Sequence, residues 1–315
     1  MADTTSPDGA PDSPTDLSKR TWKDTLKRTV QEFKDDDLTL LAAALTYYGV
    51  LSLFPALLVL LALLGLAGTD TIDTLLKNLG SLTPTATRDL ITNAVRDLQS
   101  ANSSAGFALI LGLAGALWSA SGYVGGYMKA ANVIYEVEEG RKFWKLKPLQ
   151  ILVTLVIMIL TALIVLAVVV SGPVAQRVGD VIGAGDTAVT VFNIVKWPII
   201  ALVVSQIFAF LYYVGPNVKQ PGFKWVSPGG IVAVVLWIVA SGAFAFYVAN
   251  FASYSKTYGS MAAVIIFLVW LWITNIVMLL GAELNAEIER GRQIEAGHPP
   301  EREPFLPVRE SPKAS

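Results

Sequence analysis

Six long apolar runs divide the chain, with polar or charged stretches between them. They fall at 41–67, 106–130, 149–171, 189–214, 228–250 and 260–282, beginning with Leu41 and ending with Ala282. About 30 Å of hydrocarbon takes roughly 20 helical residues, so each run predicts a transmembrane helix. The first is far longer than the apolar segment of a signal peptide and reads as a span. Ahead of it, "SKRTWKDTLKRTVQEFKDDD" puts Trp22, Leu26, Val30 and Phe33 on one helical face. Lys19, Arg20, Lys23, Lys27 and Arg28 take the remainder. This pattern fits an amphipathic helix lying on an anionic membrane surface, and equally an ordinary positively charged flank. Between the first two runs, Ile72, Leu75, Leu76 and Leu79 form one apolar stripe, and Leu90, Ile91, Ala94, Val95 and Leu98 form another. Thr83-Pro84 separates them, which predicts two short amphipathic helices at the outer face.

The expected fold is therefore all-α and polytopic, with six transmembrane helices plus interfacial helices. The expected organisation is a disordered tail at 1–17, a cytoplasmic amphipathic helix at 18–37 and a transmembrane domain at 38–290. A C-terminal tail at 291–315 starts helical in "AELNAEIERGRQIEAG" and turns proline-rich and disordered after Gly297.

Composition agrees with residence in lipid. The 315 residues are 53% hydrophobic and only 16% charged, against about 25% charged in soluble domains. Mean hydropathy is +0.54. Basic residues cluster in 18–40, in the loop holding Arg141, Lys142, Lys145 and Lys147, at Lys219 and Lys224, and at Arg290 and Arg292. With six crossings, this charge bias puts both termini in the cytoplasm. A net charge of −1 gives no field for nucleic acid. With no cysteine and a single histidine, His298, in the tail, thiol catalysis and cysteine-held metals are excluded. No zinc-protease, phosphate-loop or nucleophile-elbow motif occurs. Glu138-Glu139 and Asp35-Asp36-Asp37 read as exposed boundary residues, so no cofactor or metal is expected.

Candidate chemistry sits inside the spans. Pro55 interrupts "LTYYGVLSLFPALLVLLALLGL", where Thr46, Tyr48 and Ser52 stand upstream to satisfy freed carbonyls. Pro55 is a hinge lining a cavity or a static packing kink. "LFP" in the first span and "KWP" in the fourth hint at an inverted repeat. The second span holds Gly122 and Gly126 in one G-x-x-x-G, with Trp118, Ser119 and Ser121 available to a polar interior or to tight packing. Gln206 and Asn275 are polar groups at membrane depth, and Lys196 lies nearer the outer end. Glu283 ends the sixth span, where its carboxylate either exchanges a proton or cation, or pairs with Arg141, Lys147 or Arg290 as an anchor.

Four blocks resemble the YihY/BrkB family of bacterial inner-membrane proteins: "LAAALTYYGVLSLFPALLVLLALL", "LWSASGYVGGYMKAANVIYEVEEGRKFWKLK", "YYVGPNVKQPGFKWVSPGG" and "YSKTYGSMAAVIIFLVWLWITNIVMLLGAELNAEIE". They occur in the family's order over roughly residues 20–290. The resemblance implies six helices with cytoplasmic termini. It marks Tyr47, Ser52, Pro55, Trp118, Ser119, Asn132, Arg141, Pro216, Asn217, Gly229, Tyr258, Gly259, Gly281 and Glu283 as important positions. Family members have carried a ribonuclease label, which this chain's chemistry does not support. The leading expectation is a transporter or lipid-handling envelope protein. Its cavity or gate would be built from Tyr47, Tyr48, Ser52, Pro55, Trp118, Ser119, Gln206, Asn275 and Glu283. Its partners would be membrane lipids and a small ion, lipid or other small-molecule substrate, not nucleic acid. The alternatives are a non-transporting scaffold for envelope partners and a membrane-embedded enzyme. The enzyme would need a carboxylate or metal cluster that the residues do not supply.

Overall fold

The computed structural model describes residues 11–65, 103–182, 185–250 and 261–312. Among them, regular structure is helical. A 3-10 turn at Pro14–Asp16 precedes α1 (Lys19–Asp35), α2 (Leu38–Gly65), α3 (Ser103–Ile134), α4 (Phe143–Ile182), α5 (Gly185–Val214), α6 (Phe223–Asn250) and α7 (Met261–Glu295). Five stretches of the described residues are long and apolar enough to cross a membrane: Leu38–Leu60, Phe143–Val165, Ile194–Val214, Phe223–Asn250 and Ala262–Glu295. The second expected span falls inside the continuous helix α3, which is not among these five. The two stripes between the first two runs, and Tyr258 and Gly259, lie outside the described residues.

The chain divides into two compact units, one of Met1–Gly49, Tyr123–Lys147 and Val203–Ser315, the other of Val50–Gly122 and Pro148–Leu202. In the second, Val59 of α2, Ala120 of α3 and Met158 of α4 form a buried apolar cluster joined by Ala56, Leu113, Ala116 and Leu117. Pro55 is carried within α2, which continues to Gly65. Its neighbour Ala56 packs on this apolar cluster.

In the first unit, α6 and α7 touch backbone to backbone. A Cβ at Gly229 would collide with the Gly281 carbonyl, and one at Gly281 would lie 2.8 Å from the Gly229 carbonyl and 2.5 Å from the Tyr212 hydroxyl. The close approach lets Asn285 Oδ1 accept the Gly229 N–H at 2.9 Å. Tyr212 donates to the Met278 carbonyl at 2.8 Å. Further along, Trp237 Nε1 donates to Thr274 at 3.1 Å and Trp270 Nε1 to Ser241 at 3.2 Å. These bonds let large indoles sit in apolar surroundings with their N–H groups satisfied.

Within the protein, helix α1 buries a polar stripe. Ser18 caps it, its hydroxyl accepting the Thr21 N–H at 3.1 Å. Thr25 and Thr29 are buried, whereas Leu26 and Val30 are 54% and 59% exposed. The reason lies in what α1 meets. The C-terminal turns of α7 are charged, so a polar stripe faces them. Thr25 donates to the Glu287 carbonyl at 3.3 Å, Arg28 pairs with the Glu287 carboxylate, and Thr21 donates to Glu295. Gly291 opens room for this contact, since a Cβ there would meet Thr21 at 2.9 Å and Thr25 at 3.0 Å.

Both tails depart from the expected disorder within the described residues. Leu17 packs with Trp225, Leu284 and Ile288, and Trp22 Nε1 donates to the Pro14 carbonyl at 3.2 Å. Helix α7 runs to Glu295 and is closed by Gly297 at φ +90°. The following segment folds back. Val308 forms an antiparallel bridge with Val218, flanked by Lys219 N–H donating to the Pro307 carbonyl at 2.8 Å and Arg309 N–H donating to the Asn217 carbonyl at 2.9 Å. Phe305 and Leu306 are buried. Proline-rich composition signals disorder only where nothing pairs with the backbone, and here residues 217–219 do.

The α6–α7 contact sets an expectation. Gly281→Ala should destabilise the protein by about 1–3 kcal/mol through overpacking. Gly122→Ala, at a position with nothing within 4 Å, should change stability by no more than about 0.5 kcal/mol. Thermal unfolding in detergent reads both.

Candidate functional site

Two polar groups stand out in the first unit. In the first, Asn275 of α7 donates through Nδ2 to the Thr46 hydroxyl at 3.0 Å, and its Oδ1 accepts from the Tyr123 hydroxyl at 2.7 Å. Thr46 in turn donates to the Ala42 carbonyl at 2.8 Å. The group ties α2, α3 and α7 together, with both the oxygen and the nitrogen of the amide engaged. Thr46 therefore serves this node, not the carbonyls freed by Pro55.

The second group surrounds the C-terminal part of α7. Glu283, Glu287 and Arg290 recur at steps of four and three, which is one helical face. Arg290 is the centre. Its Nη2 donates to Glu136 at 2.6 Å, Nη1 lies 3.8 Å from Glu32, Nε lies 3.3 Å from Glu287, and its guanidinium covers the Phe305 ring at 5.0 Å. Glu287 also holds Arg28. On a neighbouring face, Arg292 clasps Glu289, with Nη2 to Oε1 at 2.6 Å and Nε to Oε2 at 2.8 Å, while Gln293 donates to the same carboxylate at 2.8 Å. Arg292 covers Trp225 as well, at 4.9 Å. Glu283 differs from these. It is 1% exposed, and among the described residues its Oε2 has no hydrogen-bond partner. Among the described residues no ion pair within 4.0 Å joins it to Arg141, Lys147 or Arg290, the three expected anchors. The Tyr127 and Tyr135 hydroxyls and Glu136 Oε2 are likewise buried and unpartnered.

Arg141 is engaged elsewhere. Its Nε and Nη2 each reach Glu139 at 2.7 Å, and Nη2 also donates to the Gly215 carbonyl at 2.9 Å. Asn132 donates to Glu139 at 3.0 Å and accepts the Asn217 N–H at 2.7 Å. Burial alone raises the Glu139 carboxyl, but the bonds from Arg141 and Asn132 outweigh it and hold the group below its ordinary range. Asn132, Arg141, Asn217 and neighbouring Pro216 thus build a clamp joining the loop after α3 to the loop after α5. Glu139 is part of that clamp, not the exposed boundary residue its sequence position predicts.

The remaining expected residues differ in exposure. Ser52 is buried, Pro55 is half-buried, and Tyr47, Tyr48, Trp118, Ser119 and Gln206 are exposed. Tyr47 and Tyr48 meet edge to face at 5.7 Å. Sequence reasoning missed Arg28, Glu32, Asp36, Tyr127, Tyr135, Glu287, Glu289 and Phe305. The spacing of Glu283, Glu287 and Arg290 was the available signal. Among the described residues, no three histidine, aspartate or glutamate side chains are placed to hold a metal ion.

Asp36 also departs from its expected role as an exposed residue. Burial, then the charges of Glu32 and Glu136, push its carboxyl from 3.8 up to about 7; Asp35 adds to this and Arg290 opposes it. The folded state then holds a proton that the unfolded chain releases at lower pH. The resulting stabilisation is complete below about pH 4 and is lost as pH rises through 7. Asp36→Asn should therefore show a shallower fall in melting temperature between pH 4 and 8 than the parent protein. Parallel slopes would remove Asp36 as the titrating group.

Comparison with known proteins places the chain. The family model described as virulence factor BrkB matches residues 29–305. A ribonuclease-like protein named YfkH from Bacillus subtilis is 32% identical over 259 residues, covering 82% of this chain and 92% of its own length. UPF0761 membrane protein PBPRA3489 of Photobacterium profundum is 27% identical over 282 residues, covering 85% of this chain and 82% of its own. A local match to a UPF0761 membrane protein of Alkalilimnicola ehrlichii is 42% identical over 78 residues, a quarter of this chain and 17% of that protein. No solved structure matches. With its apolar helices and a match over most of its length, the chain belongs to the BrkB family of membrane proteins.

Proposed function

We propose that this protein moves a small ion or lipid across a bacterial inner membrane, and that Glu283 is the group that exchanges a proton or cation during the cycle. The reading keeps six crossings with both termini in the cytoplasm, so that Glu283 lies near the cytoplasmic mouth. One observation carries it: a carboxylate where the apolar part of α7 ends, almost fully buried, with an oxygen that nothing among the described residues satisfies. Ionisable groups held at such positions are expensive and tend to be functional. Its surroundings hold more acids than bases, with Glu32, Asp36, Glu136 and Glu287 against Arg28 and Arg290. An arriving cation or proton would relieve that excess. No enzymatic step is part of this reading, and the ribonuclease-like name belongs to the Bacillus relative.

A scaffold role is the second reading. It is favoured by the apolar packing next to Pro55 and by the exposure of Tyr47, Trp118, Ser119 and Gln206. Apolar packing around Pro55 is what a scaffold predicts. Flux in proteoliposomes separates the two. Vesicles would be loaded with a pH-sensitive dye, and in a second arm would carry fluorescent phospholipid. Glu283→Gln should lower flux roughly tenfold, the effect of about 1.4 kcal/mol on the rate-limiting barrier, and flatten its pH profile. A folded parent protein that moves neither protons, cations nor lipid above empty vesicles would favour the scaffold.

A further inference from the structure

The segment after α7 is built as a latch. It leaves Gly297, crosses the ends of α3 and α5, and is held by contacts that composition alone would not foretell. The Val218–Val308 bridge fixes its register. Asn217 Nδ2 donates both to the Glu138 carbonyl at 3.0 Å and to the Glu310 carbonyl at 2.8 Å, so one clamp side chain grips the loop after α3 and the segment together. Arg309 donates to the Val218 carbonyl at 2.7 Å and to the Tyr213 carbonyl at 2.6 Å, and it covers the Tyr213 ring at 5.8 Å. Lys145 reaches Glu310 at 2.7 Å. Gly140 is where the backbones pass closest, and a Cβ there would collide with the Glu310 carbonyl.

What these anchors deliver is Phe305. Its ring stacks on Tyr135 at 5.8 Å with an interplanar angle of 28°, and its other contact is the guanidinium of Arg290 at 5.0 Å. Arg290 is the cation on which Glu32, Glu136 and Glu287 converge, and the Tyr135 hydroxyl is one of the buried, unpartnered groups beside them. The segment therefore sits on the acidic group itself. Its anchors differ in kind from a packed core. Apart from Phe305 and Leu306 they are backbone pairings and polar contacts near the surface, with Pro304 and Pro307 exposed. Such contacts open locally at far lower free energy than global unfolding.

We propose that residues 298–310 form a latch that closes the Glu283–Arg290 group, with Phe305 as its bolt, and that release of the latch admits solvent and ligand to Glu283. The proposal rests on the reading of Glu283 as the exchanging group, but its test does not require transport.

The parent chain has no cysteine, so an introduced thiol is a clean reporter. Glu283→Cys in the full-length, detergent-solubilised protein would be labelled with a charged maleimide and followed by mass spectrometry of the α7 peptide. Adding Gly140→Ala, which displaces Glu310, or Arg309→Ala, which removes two hydrogen bonds, should speed labelling about tenfold as the open fraction rises. The converse variant is Val218→Cys with Val308→Cys. The two residues form the non-hydrogen-bonded pair of an antiparallel bridge, whose Cα atoms lie about 4.5 Å apart and suit a disulfide. Oxidation should slow reporter labelling about tenfold and reductant should restore it. Equal labelling in locked and reduced protein would overturn the latch even where Gly140→Ala fails to fold. Labelling that responds to the lock while Glu283→Gln leaves flux unchanged would keep the latch and remove Glu283 as the exchanging group.

Discussion

A guanidinium buried among carboxylates organises the end of α7. Arg290 is 9% exposed on its side chain, and three acids from three parts of the chain aim at it: Glu32 of α1, Glu136 after α3 and Glu287 of α7 itself. Removing a charge from water costs several kcal/mol unless partners replace the lost hydration. Each partner is therefore needed where it stands, and each brings its own segment. Glu32 brings α1, Glu136 brings the left-handed turn that closes α3 at φ 53°, and the ring contact brings Phe305 and the tail.

This explains why the polar face of α1 is inside. Thr25, Arg28 and Thr29 face a helix whose surface is already charged, and an apolar stripe there would take Arg28 from Glu287. Leu26 and Val30 are left outside among Lys19, Lys23, Lys27 and Lys34. The same economy applies to the clamp. Asn132, Glu139, Arg141 and Asn217 satisfy one another and the Gly215 carbonyl, which frees Asn217 to hold the tail. Among the described residues, Arg28 and Arg290 hold Glu287 and Arg292 holds Glu289, whereas Glu283 of the same helix is buried with no partner on Oε2.

Much of the helical framework was legible because hydropathy over twenty residues is a strong signal. Gly229 and Gly281 were marked by resemblance, and their role became physical only with the α6–α7 backbone contact in view. Other parts were hidden for definite reasons. Trp22, Leu26, Val30 and Phe33 repeat at helical spacing, so periodicity names the apolar face, yet the partner's charge decides which face is buried. Asp36 and Glu139 lie in acidic runs that usually mark solvated boundaries, and only their neighbours reveal them as part of a network. "PPEREPFLPVRE" reads as disordered tail by composition, whereas its order comes from backbone pairing with residues far away in sequence.

The most direct test of this account is the stability of Arg290→Met. The variant keeps the length and apolar bulk of the side chain while leaving Glu136 and Glu32 without their cation. If Arg290 holds the group together, equilibrium unfolding in detergent at neutral pH should show a loss of about 3–5 kcal/mol. A change of no more than about 0.5 kcal/mol, as for an ordinary surface substitution, would contradict it.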